Sequence, residues 1–131
     1  MNNTKLFIIL GNQLFNPNLY FKQINQYDFF LCEDYGLCSY VKHHKLKLLH
    51  VLSSMRLYKD ELKSLGLKVH YSSIEDENFY EDYLEKLKKT LSKNKYKKLF
   101  FFEIEDKFFE KKVLILHKYI EIEIIKSPMF L

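Results

Sequence analysis

The chain is poor in cysteine, and that shortage excludes several cysteine-based sites. Its two cysteines, Cys32 and Cys38, are too few for a disulfide framework. The five residues between them match neither a CxxC redox motif nor a zinc-binding pair. An iron–sulfur cluster usually requires about four cysteine ligands, so this chain cannot build one alone. We therefore expect both cysteines to be reduced thiols, as in a cytoplasmic protein.

Arginine and long apolar runs are equally scarce. Arginine occurs once, at Arg56, although the formal net charge is +4. Proteins that read bases or hold phosphates by two-point contacts rely on arginine, so the mild lysine charge does not indicate a committed nucleic-acid binder. No apolar run approaches the roughly 20 residues of a membrane helix. The N-terminus has no signal-peptide pattern. We therefore expect a cytoplasmic protein with no membrane segment.

The chain does contain enough apolar material for one folded domain. Its 131 residues are 47% hydrophobic, which excludes a disordered chain and predicts a single core over residues 1–131. Short apolar runs predict five strands, at residues 5–10, 28–32, 67–71, 98–102 and 120–125. The segments between them predict helices at 40–66, 79–92 and 106–118. The last run alternates polar and apolar residues, which is typical of an edge strand.

Alternating strands and helices predict an α/β fold with a parallel sheet and helices on both faces. We predict a Rossmann-like or flavodoxin-like three-layer sandwich whose five strands lie in the order 3-2-1-4-5. Such sheets bind ligands at the C-terminal ends of their strands, near the point where the strand order reverses. The loops after the first and second strands should therefore converge on one crevice.

The longest predicted helix carries an apolar stripe at helical spacing. Its members are His44, Leu48, Val51, Met55, Tyr58, Leu62 and Leu65. We predict that Met55, in the middle of the stripe, lies in the core. The other sides are rich in lysine, which usually marks a solvated face, with contact to DNA phosphate as the alternative. The adjacent His43 and His44 point about 100° apart, so they cannot bind one metal ion as a pair on one face.

Candidate binding residues follow the first two strands. After the first, Gly11 permits a close approach, and Asn12 and Gln13 offer amide groups to a ring edge; an ordinary turn explains the same residues. They lack the GxGxxG motif of a dinucleotide site. After the second, Glu33 can accept from N–H or hydroxyl groups of a ligand, or pair with the lysines that follow. Tyr40 can lie against a flat heterocycle or simply pack in the core.

Four segments together carry a resemblance to a known family. They are Gly11-Asn-Gln-Leu, Leu31-Cys-Glu, and the helix segments Lys42-His-His-Lys and Ser53-Ser-Met-Arg. With them, nearly the whole chain resembles the N-terminal domain of the photolyase-related proteins, the iron–sulfur bacterial branch of the photolyase/cryptochrome superfamily.

That resemblance implies an antenna domain that binds 6,7-dimethyl-8-ribityllumazine at the strand ends. It assigns to the crevice Gly11, Asn12, Gln13, Cys32, Glu33 and Tyr40. FAD and the 4Fe-4S cluster would belong to a separate C-terminal helical domain, which residues 1–131 do not include.

Some positions depart from the family. The family usually has aspartate where Asn12 stands and often glutamate where Leu37 stands. The chain has no tryptophan, so the aromatic relay that reduces flavin in photolyases is missing. No serine, cysteine or acid has a recognisable nucleophile–base partner. We expect an antenna-type domain linked to light-dependent DNA repair or blue-light sensing, without catalysis of its own. The alternative is a standalone or relic α/β interaction domain with no chromophore.

The apolar end of the sequence leaves two alternatives, one of which involves a partner. Residues 127–131 finish on three apolar residues, where the resembled family continues toward its helical domain. We expect Phe130 and Leu131 either to pack onto the sheet or to form an apolar patch. A patch would favour self-association or binding to a FAD-binding helical domain. Contact with DNA would then come only through such a partner.

Overall fold

A computed structural model describes residues 4–11, 13–17, 21, 23–34, 45–77, 79–104 and 107–126. Over these residues the strands are β1 (Lys5–Ile8), β2 (Tyr27–Cys32), β3 (Val69–Ser72), β4 (Lys98–Phe102) and β5 (Glu121–Ile125). All pair in parallel, in the order β3-β2-β1-β4-β5. The predicted sheet and its strand order are confirmed, including β5 at an edge.

The α-helices of the described part are α1 (Lys45–Ser64), α2 (Tyr83–Asn94) and α3 (Lys107–Leu114). The α2 helix begins later than predicted because Asp82, in an extended conformation, caps it by accepting a hydrogen bond from the Leu84 N–H. The last turn of the third predicted helix tightens into a 3-10 segment, Ile115–Lys118, as helix ends commonly do. None of the described helices is long and apolar enough to cross a membrane.

Gly66 ends α1 as its position in the sequence predicts. Its φ of 82° lies in the left-handed region, and the Leu67 N–H donates back to the Leu62 carbonyl at 3.2 Å. This reversal explains one wrong prediction. Leu65 lies beyond the helix in the turn before Gly66, so the helical period no longer directs it inward, and it is 45% exposed.

Two cores lie on opposite faces of the sheet. Side chains alternate along each strand, so Phe7 and Phe29 face α1, whereas Ile8 and Phe30 face α2 and α3. Met55 lies on the inner side of α1 and is fully buried, which confirms its predicted place in the core. The three-layer arrangement is therefore confirmed, with both faces of the sheet covered.

The connection from β1 to β2 covers part of the α1 face with aromatic rings. Phe21 meets Phe7 edge-on with ring centroids 5.0 Å apart, and Phe15 meets Phe102 at 5.1 Å. Such pairs contribute about 0.5–1.5 kcal/mol each beyond their buried area. These ring contacts hold the connection against the sheet. The same connection begins with the candidate binding residues that follow β1.

Candidate functional site

The C-terminal edge of the sheet brings together loops from distant parts of the chain. Gly11 and Gln13 follow β1, Glu33 follows β2, and Ile74 follows β3. Because β1 lies between β2 and β4, this edge includes the point where the strand order reverses. That is where parallel α/β sheets form ligand crevices. Asn12, Leu37 and Tyr40 lie outside the described residues, so their assignments stay predictions.

Glu33 is fully buried and surrounded by donors from the chain itself. Arg56 donates through Nε to Oε2 at 2.8 Å and through Nη2 to Oε1 at 3.0 Å. The Tyr71 hydroxyl also donates to Oε2, and the Ile74 N–H donates to Oε1 at 2.9 Å. The ion-pair alternative of the sequence analysis therefore holds for Glu33, with Arg56 of α1 as its partner rather than a lysine.

This network fixes the charges of its members. Burial alone would raise the pKa of Glu33, but hydrogen bonds from Arg56, Tyr71 and Ile74 outweigh it, so the pKa falls below its ordinary value. The hydrogen bond to Glu33 raises the pKa of Arg56. Burial, with Glu33 beside it, raises the pKa of Tyr71. At neutral pH the cluster is therefore a carboxylate held by a guanidinium and a neutral phenol.

Arg56 also reaches outward from the cluster. Its Nη2 lies 3.3 Å from both carboxylate oxygens of Glu75, and its side chain is 40% exposed. One arginine thus ties α1 to the end of β2 and to the turn after β3. The arrangement positions loops at this edge, and none of its contacts resembles a nucleophile with its base.

Gln13 links β1 to β4 at the reversal point. Its Nε2 donates to the carbonyl of Glu103, just after β4, at 2.9 Å, and its own N–H donates to the Leu10 carbonyl at 2.9 Å. The side chain is only 2% exposed, yet Oε1 accepts no hydrogen bond within the part of the chain that the structure describes. A buried acceptor without a donor is costly, at about 1–3 kcal/mol. Gly11 lies in the turn beside it, partly buried.

Cys32 lies on the other side of the sheet from the Glu33 network. It packs in the core that α2 and α3 cover, and Lys86 Nζ is 3.9 Å from its Sγ. Burial raises its pKa to about 11, although Lys86 opposes the rise. The thiol is therefore protonated at neutral pH and is a poor nucleophile. The side chains of Cys32 and Glu33 thus lie on opposite faces of the sheet, although the two residues are neighbours in sequence.

Sequence reasoning missed three residues of this region. Arg56 and Tyr71 hold Glu33, and Lys86 is buried with its ammonium group donating to the Phe79 carbonyl at 2.8 Å. A signal existed for Lys86, since it follows Tyr83 by three positions on the apolar side of α2. Arg56 had a weaker signal as the single arginine of a lysine-rich chain.

Comparisons with known proteins match the chain to one family. The family model described as deoxyribodipyrimidine photo-lyase-related protein matches residues 7–131. The (6-4) photolyase of Agrobacterium fabrum is 36% identical over 75 residues, which are 56% of this chain and 15% of that protein. The chain thus spans a small part of the length of that curated relative. Since the family match runs from β1 through β5, the chain belongs to the deoxyribodipyrimidine photo-lyase-related protein family.

Proposed function

We propose that this chain is the antenna-type α/β domain of a photolyase-related protein and binds a ribityllumazine at the C-terminal edge of its sheet. Family membership and the (6-4) photolyase relative support this role. The domain would serve light-dependent DNA repair or blue-light sensing through a FAD-bearing helical partner, without catalysis of its own. FAD and the 4Fe-4S cluster would then be held by that partner.

The buried Oε1 of Gln13 is the observation that carries the proposal. It is an acceptor at the point where the strand order reverses, and no described residue donates to it. The pyrimidine ring of 6,7-dimethyl-8-ribityllumazine carries an N–H of the kind that such an acceptor requires. Bound there, the chromophore would absorb light in the near ultraviolet and blue. The residues present therefore fit the group.

Glu33 would contribute to this site indirectly. Its two oxygens already accept from Arg56, Tyr71 and Ile74, so a ligand would have to displace one of these donors. We propose that Glu33 sets the positions of the loops that border the crevice. Arg56, whose side chain is 40% exposed, carries the positive charge that this network presents to solvent.

A pair of matched variants tests the role of Gln13. Gln13→Met keeps the length of the side chain but removes both the acceptor and the Nε2 donor to the Glu103 carbonyl. Lumazine binding, followed by ligand fluorescence, should weaken by about 5- to 150-fold, the equivalent of leaving one buried donor unsatisfied. Gln26→Met is the control, because Gln26 accepts from Lys5 at the opposite end of the sheet. Equal affinities for the two variants and the native chain would contradict the proposed site.

A further inference from the structure

A second surface, between β4 and β5 in sequence, is built from exposed rings and lysines. We call it the α3 surface; it consists of Phe108, Lys111, Lys112, Ile115, Lys118 and Tyr119. Phe108 is 72% exposed, Ile115 53% and Tyr119 76%, which is unusual for large apolar side chains on one element. The sequence analysis gave this segment no role beyond a helix.

The inner side of the same element is anchored, so the α3 surface has a fixed orientation. Val113 and Leu116 are fully buried in the core under the sheet, and Phe109 packs against Tyr83 with ring centroids 5.2 Å apart. Phe108 and Ile115, seven positions apart, lie about 20° apart around an ideal helix on the opposite side, and Tyr119 follows the 3-10 segment as a third exposed ring or apolar side chain. The rise per residue places Phe108 and Tyr119 about 18 Å apart along the axis. The rings of Phe108 and Tyr119 therefore lie at opposite ends of the α3 surface.

Positive charge flanks these rings. Lys111, Lys112 and Lys118 lie between the two rings in sequence, and Lys112 Nζ is 5.0 Å from the centre of the Phe108 ring. The acid within α3, Glu110, is turned inward, where it accepts from the Ile104 N–H at 2.8 Å. Glu121, next along the chain, pairs with Lys98 at 3.8 Å. The surface thus combines exposed rings with three lysines that form no ion pair with any residue that the structure describes.

We propose that the α3 surface binds single-stranded nucleic acid. A strand offers phosphates to the lysines and unpaired bases to the rings of Phe108 and Tyr119, and each base has a face on which an aromatic side chain can stack. A duplex hides those faces, so it would engage the lysines alone. The absence of arginine from this surface predicts binding that depends little on sequence. This proposal does not depend on chromophore binding, which concerns the strand ends.

Fluorescence anisotropy with labelled oligothymidylate and oligouridylate of about 12 nucleotides tests the proposal on the full chain. Phe108→Ala and Tyr119→Ala should each weaken binding by about 5- to 150-fold, as expected for the loss of one stacked base. The double variant Lys111→Ser/Lys112→Ser should lower the slope of log affinity against log salt by about 1.4, or about 0.7 per lysine. Circular dichroism melts verify that each variant is folded.

Controls use the same residue types elsewhere. Tyr80→Ala removes an exposed ring, and Lys63→Ser/Lys68→Ser removes two exposed lysines; neither should change the affinity by more than about twofold if binding is confined to the α3 surface. Three results would overturn the proposal: no binding at low salt, unchanged binding by both ring variants, or equal affinity for a duplex. Binding to anionic lipid vesicles without binding to oligonucleotides would also overturn it and indicate a lipid surface instead.

Discussion

Replacing Arg56 should destabilise the protein in a way that depends on pH. Among the described residues, Arg56→Ala leaves the buried Glu33 carboxylate with Tyr71 and Ile74 as its donors. Breaking a buried ion pair costs about 3–5 kcal/mol. Because the Arg56 side chain is 40% exposed and its outer edge is hydrated, we expect about 3 kcal/mol, the lower end of that range. Arg56→Lys keeps the charge but loses the two-point contact, so it should cost less, about 1.5–3 kcal/mol.

The pH dependence follows from the sign of the Glu33 shift. Its pKa is lowered in the folded protein, so its contribution is complete above the unfolded glutamate pKa of about 4.3 and is lost as pH falls through the folded value. In Arg56→Ala the main lowering cause is gone and burial still raises the pKa. The deficit of this variant relative to the native chain should therefore be largest near neutral pH and shrink below about pH 4.

Urea unfolding followed by circular dichroism, repeated between about pH 3 and pH 7, measures this deficit. Lys63→Ala, which removes an exposed cation from the last turn of the same helix, is the control and should have a small effect at every pH. A deficit for Arg56→Ala that stays constant across the range would refute the reasoning, since it would show that Arg56 acts only through packing.

The remaining predictions concern the core, the buried thiol and the activity of the isolated chain. Met55→Ala should lower the free energy of unfolding, measured in urea, by about 2–5 kcal/mol, because the side chain is fully buried. A loss below about 1 kcal/mol would show that this side of α1 faces solvent. Alkylation of Cys32, followed by peptide mass spectrometry at about pH 8, should be far slower in the folded chain than in urea, because burial raises its pKa to about 11; equal rates would contradict that burial. Purified alone, the chain should show no light-dependent repair of pyrimidine dimers or (6-4) lesions, since it has no tryptophan and too few cysteines for a cluster; repair without an added partner would overturn the antenna proposal.

The fold could be predicted from the sequence because its signals are local. Each strand is a short apolar run, Gly66 marks the end of α1, and right-handed crossovers leave few strand orders. Met55 followed from helical spacing alone. The exposure of Leu65 did not follow from that spacing, since the rule assumes that the helix continues, whereas the left-handed turn at Gly66 ends it.

The contacts of the candidate site were beyond sequence reasoning because they join distant residues. Glu33 meets Arg56 across 23 positions, and Gln13 meets Glu103 across 90. Nothing local to Glu33 distinguishes Arg56 from the many lysines as its partner. The parallel sheet and the resemblance both indicated the C-terminal edge as the place of the candidate site, whereas the bonding of each side chain followed only from the structure.

Titration of the native chain with 6,7-dimethyl-8-ribityllumazine tests the central proposal most directly. Ligand fluorescence and its anisotropy should change with a saturable dependence on protein concentration. The affinity should be weak, because Asn12 and Leu37 stand where the family usually has carboxylates, and each lost charged hydrogen bond costs about 1.5–3 kcal/mol. Saturable weak binding that Gln13→Met reduces is the predicted result. No saturable change, or tight binding that survives Gln13→Met, Glu33→Ala and Tyr40→Ala, would contradict it.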